Sequence, residues 1–415
     1  MKITKGPCGR EGMRRMDRTM LTHLTHEEAV ERAKKIAQNI KARFHETEKL
    51  NCQPAETIRE FKEAGLVRAM MPKRWGGHQL GFDTLMRTGI EIAKADPSAG
   101  WVYVLLVVHN WMLAYYAEEA QREVWGQNPD ACLASSFNQM PGSEVVPVEG
   151  GYRVNGVWGY SSGIDHSDYI MAQGNVGPFD EDGIASEYVF MVIPRSQFTI
   201  LHDSWDTSAQ RGTGSKNVRI DNVFVPKHMA IDMVPWCQRG EGPGRAVNPE
   251  LLYSHPLYAA MPVCLTTAVL GAAIGFYETW RDGLKSKMSL RGARVAEFTH
   301  MQIRAAEVEG MLEAAEALLE KNVRRLSTGE PIDTHERLRI RRNFAIVAKL
   351  CSQASKMIFD ASGAGAVYHA NPLQRYWRDI QCGSMHLTFN LDWLGEMFGK
   401  MEFGLPLGKK DALLS

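Results

Sequence analysis

Residues 158–168 (WGYSSGIDHSD) place two adjacent hydroxyls, Ser161 and Ser162, after a tryptophan and before a glycine. A strand that ends in hydroxyls and free backbone N–H groups suits a flat, hydrogen-bonding heterocycle such as a flavin. Residues 205–215 (WDTSAQRGTGS) repeat that chemistry with Thr213 and Ser215 beside Arg211, and an alternating run at 218–226 (VRIDNVFVP) follows. Ser135 and Ser136 close another strand-like run. Trp101 and His109 are spaced by a little over two helical turns and are expected on one helix face, as are His386 and Asn390 at i, i+4. Histidine titrates near neutral pH, so it can take a proton or hold an oxygen ligand. Each feature taken singly has a plainer reading, as a satisfied core histidine or as strand and turn of any β-domain. No Cys/His cluster has metal-ligand spacing, so no metal site is expected.

The elements that must position these groups fall into three parts. The 415 residues are 44% hydrophobic and 23% charged, with no net charge, which suits a soluble enzyme and argues against a nucleic-acid or membrane-surface protein. Seven scattered cysteines read as thiols of a reducing cytoplasm. Residues 1–24 are basic but lack the apolar core of a signal peptide and are expected to be a disordered extension. Helical periodicity covers 25–130, with Thr22 or Thr25 as first cap. The apolar stretch 99–117 is read as a core helix and not a membrane span, because His109 and Asn110 interrupt it. Short β-type runs over 131–238 predict a compact antiparallel sheet or barrel. A Gly/Pro-rich linker, 239–255, leads to four long helical patterns at 256–287, 295–327, 334–362 and 372–399, a four-helix bundle within 256–415. The class is α+β.

In that order, with the 158–168 and 205–226 stretches at its centre, the chain resembles the acyl-CoA dehydrogenase superfamily. The Ser-Ser-Gly-Ile-Asp-His form resembles its flavin-dependent monooxygenase branch, whose oxygenase components hydroxylate p-hydroxyphenylacetate and secosteroid phenols. The dehydrogenases themselves need a carboxylate base, because a thioester α-proton is too weakly acidic to leave unaided. Neither 380–386 (IQCGSMH) nor 257–264 (LYAAMPVC) contains one.

The resemblance implies reduced flavin, FMNH₂ or FADH₂, with O₂ as co-substrate and a C4a-hydroperoxide delivering oxygen to an aromatic, phenolic substrate. Catalytic roles then fall to His386, His109, Ser161 and Ser162. Flavin contacts fall to Trp101, Ser135, Ser136, Ser161, Ser162, Arg211, Thr213, Ser215 and Asn390, with Arg291 near the flavin phosphate and Gly363 and Gly365 approaching a neighbouring subunit's cofactor. The two Gly-x-Gly sites, at Gly212 and Gly363, lack a dinucleotide fingerprint, which implies a separate NAD(P)H:flavin reductase. Apolar residues on more than one face of the bundle imply a homotetramer. An acyl-CoA dehydrogenase proper, a relative that oxidises nitrogen or sulfur, and a non-catalytic scaffold are the alternatives.

Overall fold

The computed structural model describes residues 23–409 and 411. The expected N-terminal extension, Thr22 and Cys8 therefore lie outside the described residues, apart from His23 and Leu24. Helices α1 (His26–Ala42), α2 (Phe44–Leu50), α3 (Ala55–Glu63), α4 (Phe82–Ala95), α5 (Pro97–Leu113) and α6 (Glu118–Trp125) come first. Strands β1 (Leu133–Ser136), β2 (Asn138–Gln139), β3 (Glu144–Val148), β4 (Gly151–Ser161), β5 (Tyr169–Phe179), β6 (Ala185–Pro194), β7 (Thr199–Leu201), β8 (Lys216–Pro226) and β9 (Ala230–Asp232) follow. Helices α7 (Met233–Arg239), α8 (Leu257–Ala260), α9 (Val263–Leu284), α10 (Thr299–Leu326), α11 (Thr334–Ser362), α12 (Pro372–Ser384) and α13 (Leu391–Glu402) complete the chain.

Local chemistry explains several boundaries. Thr25 accepts from the Glu28 N–H while the Glu28 carboxylate accepts from the Thr25 N–H, a reciprocal pair that satisfies two orphan donors at the start of α1. Asp96 caps α5 through the Ala99 N–H, and Pro97 in the first turn gives up only a donor that would have no partner there. Every residue of α5 is buried, and α9 is nearly so. A helix apolar on all sides belongs in a core, and α4, α5 and α9 pack on one another there. Gly271 permits this approach, since a Cβ on it would come within 2.8 Å of Ala93 and the Ile90 backbone. The segment Leu257–Leu284 is long and apolar enough to cross a membrane, but 89% of its most apolar window is buried inside the protein.

Two expectations need correction. The sheet is mixed: along β7-β8-β4-β3-β5-β6-β9 most neighbours are antiparallel, but β3 runs parallel to β5, and so does β1 beside it. β1 enters directly from the helical domain and cannot reach its partner through a hairpin, so period-two alternation alone did not reveal its direction. The fourth long helix is also broken. A short 3₁₀ turn, Leu387–Phe389, separates α12 from α13, and the His386 and Asn390 side chains each cap a new start, on the N–H groups of Thr388 and Trp393. They therefore do not share a helix face, and Asn390 is spent on its own cap.

Between the layers sits a buried ion cluster. Arg375 of α12 pairs with Asp96 at 2.6 Å, lies 3.7 Å from Asp379 and 3.3 Å from Glu48, and donates to the Phe44 carbonyl at 2.7 Å. Arg375, Asp96 and Asp379 have no accessible side-chain surface. Removing one partner of a buried pair strands the others, so Arg375→Ala should cost about 3–5 kcal/mol of unfolding free energy. Arg59→Ala, which loses only surface pairs with Glu56 and Glu63, should cost under about 1 kcal/mol. Denaturant titration of both variants checks this, and equal effects would show that the cluster is no anchor.

Acid should loosen the fold in a defined window. Burial first, and neighbouring positive charge second for two of them, pushes His78, His109 and His255 down to about 4 from 6.5. An unfolded chain takes up these protons near pH 6.5 and the folded one only near 4, so stability is full above about 6.5 and falls as pH drops toward 4. Asp379 opposes this, because burial raises it to about 6 against the pull of Arg375, and its contribution is lost as pH rises from 3.8 toward 6. With His386, whose surroundings also push it down to about 4, four groups outweigh one. Melting temperatures between pH 7.5 and 4.5 should fall, and less steeply in His109→Gln; a flat profile would contradict the assignment.

Candidate active site

Four segments that are distant in sequence meet at one cluster of hydroxyls and rings. Trp101 of α5 donates its indole N–H to Ser162 Oγ at 3.2 Å. Ser162 Oγ lies 2.7 Å from Ser215 Oγ, which lies 2.6 Å from Thr213 Oγ1. Thr213 Oγ1 donates to the Gln210 carbonyl at 2.7 Å. The Trp101 ring meets His386 edge-on, with centroids 5.8 Å apart. Gly383 makes room for this approach: a Cβ there would sit 3.3 Å from both Trp101 and the Gln210 amide.

Backbone irregularities aim the hydroxyls. Trp158 pairs with Val218 and Ser161 with Lys216, so β4 has one residue more than β8 between these pairs. Tyr160, at φ 60°, absorbs the bulge. Gln210, at φ 52°, is a second non-glycine residue in left-handed backbone, and it too borders the cluster. Its N–H donates to Asp379 Oδ1 at 2.6 Å and its amide to the Asp379 carbonyl at 3.0 Å, so the ion cluster holds the strained loop in place. Ser98 adds a bond to Asp379 Oδ2 at 3.2 Å. Asp165 of the 158–168 stretch pairs with Lys216 at 2.5 Å, tying the end of β4 to the start of β8.

His386 is exposed to solvent, although the protein packed around it pushes its pKa down to about 4. Its ring stands edge-on to Trp101 and Phe389. Its Nδ1 accepts from the Thr388 N–H at 3.2 Å, which leaves the neutral ring's proton on Nε2.

The remaining expected residues divide. Ser161 precedes Ser162 at the end of β4, and its Oγ is buried with no protein partner. Such an orphan is costly unless a bound molecule satisfies it. His109 does not reach the cluster. Its Nδ1 donates to the Leu133 carbonyl at 2.6 Å, its Nε2 is buried without a partner, and it fixes β1 against α5. Ser136 is committed to the Gly159 carbonyl at 2.6 Å, while Ser135 sits beside Met171 with no bond of its own among the described residues. Arg211 turns away to the Thr207 carbonyl and Asp206. Arg291, Gly363 and Gly365 are exposed, and none is bonded to this cluster. Sequence reasoning gave no role to Arg375, Asp96, Glu48, Asp379 or Gln210. The signal available was the pair of consecutive charged positions 378–379 in an otherwise amphipathic helix.

The hydroxyls, the orphan Ser161 and the Trp101 wall fit a flat ring with polar edges. Two recesses elsewhere, of about 480 Å³ beside His255 and Arg337 and about 550 Å³ between α10 and α11, contain none of these groups.

Comparison with known proteins agrees with the geometry. Residues 24–128 match the model "Acyl-CoA dehydrogenase, N-terminal domain" and residues 263–391 the corresponding "C-terminal domain". The chain is 32% identical to the flavin-dependent monooxygenase oxygenase subunit HsaA of Rhodococcus jostii, over 91% of this chain and 99% of that protein. It is also 32% identical to the FADH₂-dependent resorcinol hydroxylase oxygenase component of a Rhizobium species, over 92% and 96%. The crystal structure of the 3-HSA hydroxylase from Rhodococcus sp. RHA1 superimposes with a TM-score of 0.86 at 30% identity, covering 93% of this chain and all of that one. A match of this extent in sequence and fold, joined to a histidine and hydroxyl cluster in place of a free carboxylate, means that the chain belongs to the flavin-dependent monooxygenase branch of the acyl-CoA dehydrogenase family.

Proposed function

We propose that this protein is the oxygenase component of a two-component monooxygenase, using reduced flavin and O₂ to hydroxylate an aromatic, phenolic substrate. The observation that carries the reading is His386, whose ring stands edge-on to Trp101 of the Trp101–Ser162 cluster, while the carboxylates bonded into that network are already ion-paired. Asp379 is held by Arg375 and Asp165 by Lys216, so neither is free to remove a thioester α-proton. That counts against acyl-CoA dehydrogenation. Bound reduced flavin would supply the electrons that activate O₂. The chain's own part is to hold the ring through Ser161 and Ser162, wall it with Trp101, and present the His386 Nε2–H to a developing phenolate oxygen.

The separate reductase rests on the missing dinucleotide fingerprint and on relatives named as oxygenase components. A cytoplasmic setting rests on the six free cysteines among the described residues, of which Cys132, Cys237, Cys264 and Cys351 are buried and Cys52 and Cys382 half-buried. A homotetramer is supported by the outward stripe of Ile303, Ala306, Gly310 and Ala314 on α10, and by exposed Leu290, Val367 and Tyr368 on nearby loops. Sizing should give four chains, and a monomer with full turnover would contradict it.

The reading is tested by mixing the protein with enzymatically reduced FMN or FAD, O₂ and a panel of phenols. Hydroxylated product is expected; flavin bleached by an acyl-CoA thioester would sink the reading. His386→Asn should still consume O₂ but lose product about 10²–10⁴-fold and release hydrogen peroxide instead. Since the ring is neutral above about pH 4, wild-type coupling should stay flat as pH falls through 6.5 and decline only toward 4. A loss centred near 6.5 would mean that His386 titrates as a free histidine.

A further inference from the structure

A protein that passes oxygen to an electron-rich ring must keep it from its own electron-rich groups, and sulfur is among the first of these to be oxidised. Met385, at 77% exposure, and Met288, at 55%, are the two exposed methionines among the described residues. Met288 lies on the loop after α9, which contributes nothing to the Trp101–His386 cluster. Met385 immediately precedes His386, at the end of α12, where its N–H closes the last turn on the Cys382 carbonyl at 3.1 Å. Consecutive Cα atoms are only about 3.8 Å apart, and a methionine side chain is long, unbranched and flexible. Its sulfur can therefore sweep the space in front of the His386 ring.

The nearest thiol in the chain is a poorer target. Cys382 stands one turn earlier in α12 and is half-buried, and burial first and Asp379 second raise its pKa. Thiols react as thiolates, so this one is quiet near neutral pH. A thioether has no proton to lose and reacts as it stands.

We propose that Met385 is a self-modification site, oxidised to the sulfoxide when the protein turns over with no phenol bound. The proposal rests on the monooxygenase reading above. The step needs no reactant beyond those of that reaction. One atom of O₂ bonds to the Met385 sulfur and the other leaves as water with the two hydrogens of the reduced flavin. Flavin and sulfur each give up two electrons, and O₂ takes four. The product is a polar side chain beside His386 that methionine sulfoxide reductases can restore, so the mark is a reversible record of idle turnover.

The test runs the whole protein on reduced flavin and isotopically heavy O₂ without a phenol, with catalase present to remove hydrogen peroxide from solution, and reads the peptides by mass. Label should appear at Met385 and exceed that at Met288 by about tenfold or more, because a group held beside the reacting oxygen meets it at a high effective concentration. Adding a phenol should suppress the label, since the ring then takes the oxygen. Met385→Leu should lose it while still hydroxylating the phenol. Equal label at Met385 and Met288, or label that catalase abolishes, would mean that diffusing peroxide is the oxidant, and the inference fails. A protein that hydroxylates phenols but leaves Met385 unlabelled in their absence overturns the inference alone. One that hydroxylates no phenol overturns the functional reading, and this inference with it.

Discussion

Arg375 carries its charge where it has no accessible surface, and the rest of the site depends on how that charge is neutralised. A guanidinium cannot give up its proton to escape burial, so the fold must bring carboxylates to it. Asp96, Asp379 and Glu48 come from the cap of α5, from α12 itself and from α2, and the Phe44 carbonyl adds a fourth contact. Meeting that requirement places the first helical domain against the last. It also delivers Asp379 to the Gln210 loop, so one electrostatic need sets both domain packing and site geometry.

The site itself is assembled from pieces that are each locally unfavourable. Tyr160 and Gln210 occupy left-handed backbone, the Ser161 hydroxyl is buried without a partner, and His386 interrupts a helix. Such features persist only where surrounding structure over-determines them, and here β8, α5 and α12 do so. The broken helix is informative about chemistry. A continuous helix would have carried the 386 side chain onto the bundle face. The break instead lays its ring against Trp101 and uses Nδ1 as a cap, which settles which nitrogen faces outward.

The layer order, the core helix at α5 and the first three bundle helices were legible from the chain alone, because composition and periodicity are local quantities; the family was legible through the resemblance that the 158–168 and 205–226 stretches carry. So was the absence of a carboxylate at the two places where a dehydrogenase would need one, and 158–168 and 205–215 could be picked out as candidates for the chemical centre. His386 was legible as a candidate from its place in the last bundle segment, although its partner Asn390 was not what helical spacing suggested.

Tertiary structure decided everything that depends on what lies across a gap. Sequence could not tell that His109 gives its proton to Leu133 while His386 lies against Trp101, since both are histidines in helical sequence. It could not separate Ser136, spent on Gly159, from Ser161, spent on nothing. Nor could it show the row of hydroxyls, which exists only once Thr213, Ser215, Ser162 and Trp101 stand within hydrogen-bond distance. Residue type and order determined which groups were available and on which element. Hydrogen-bond partners and burial are pairwise and long-range, so only the folded chain assigned each group its work.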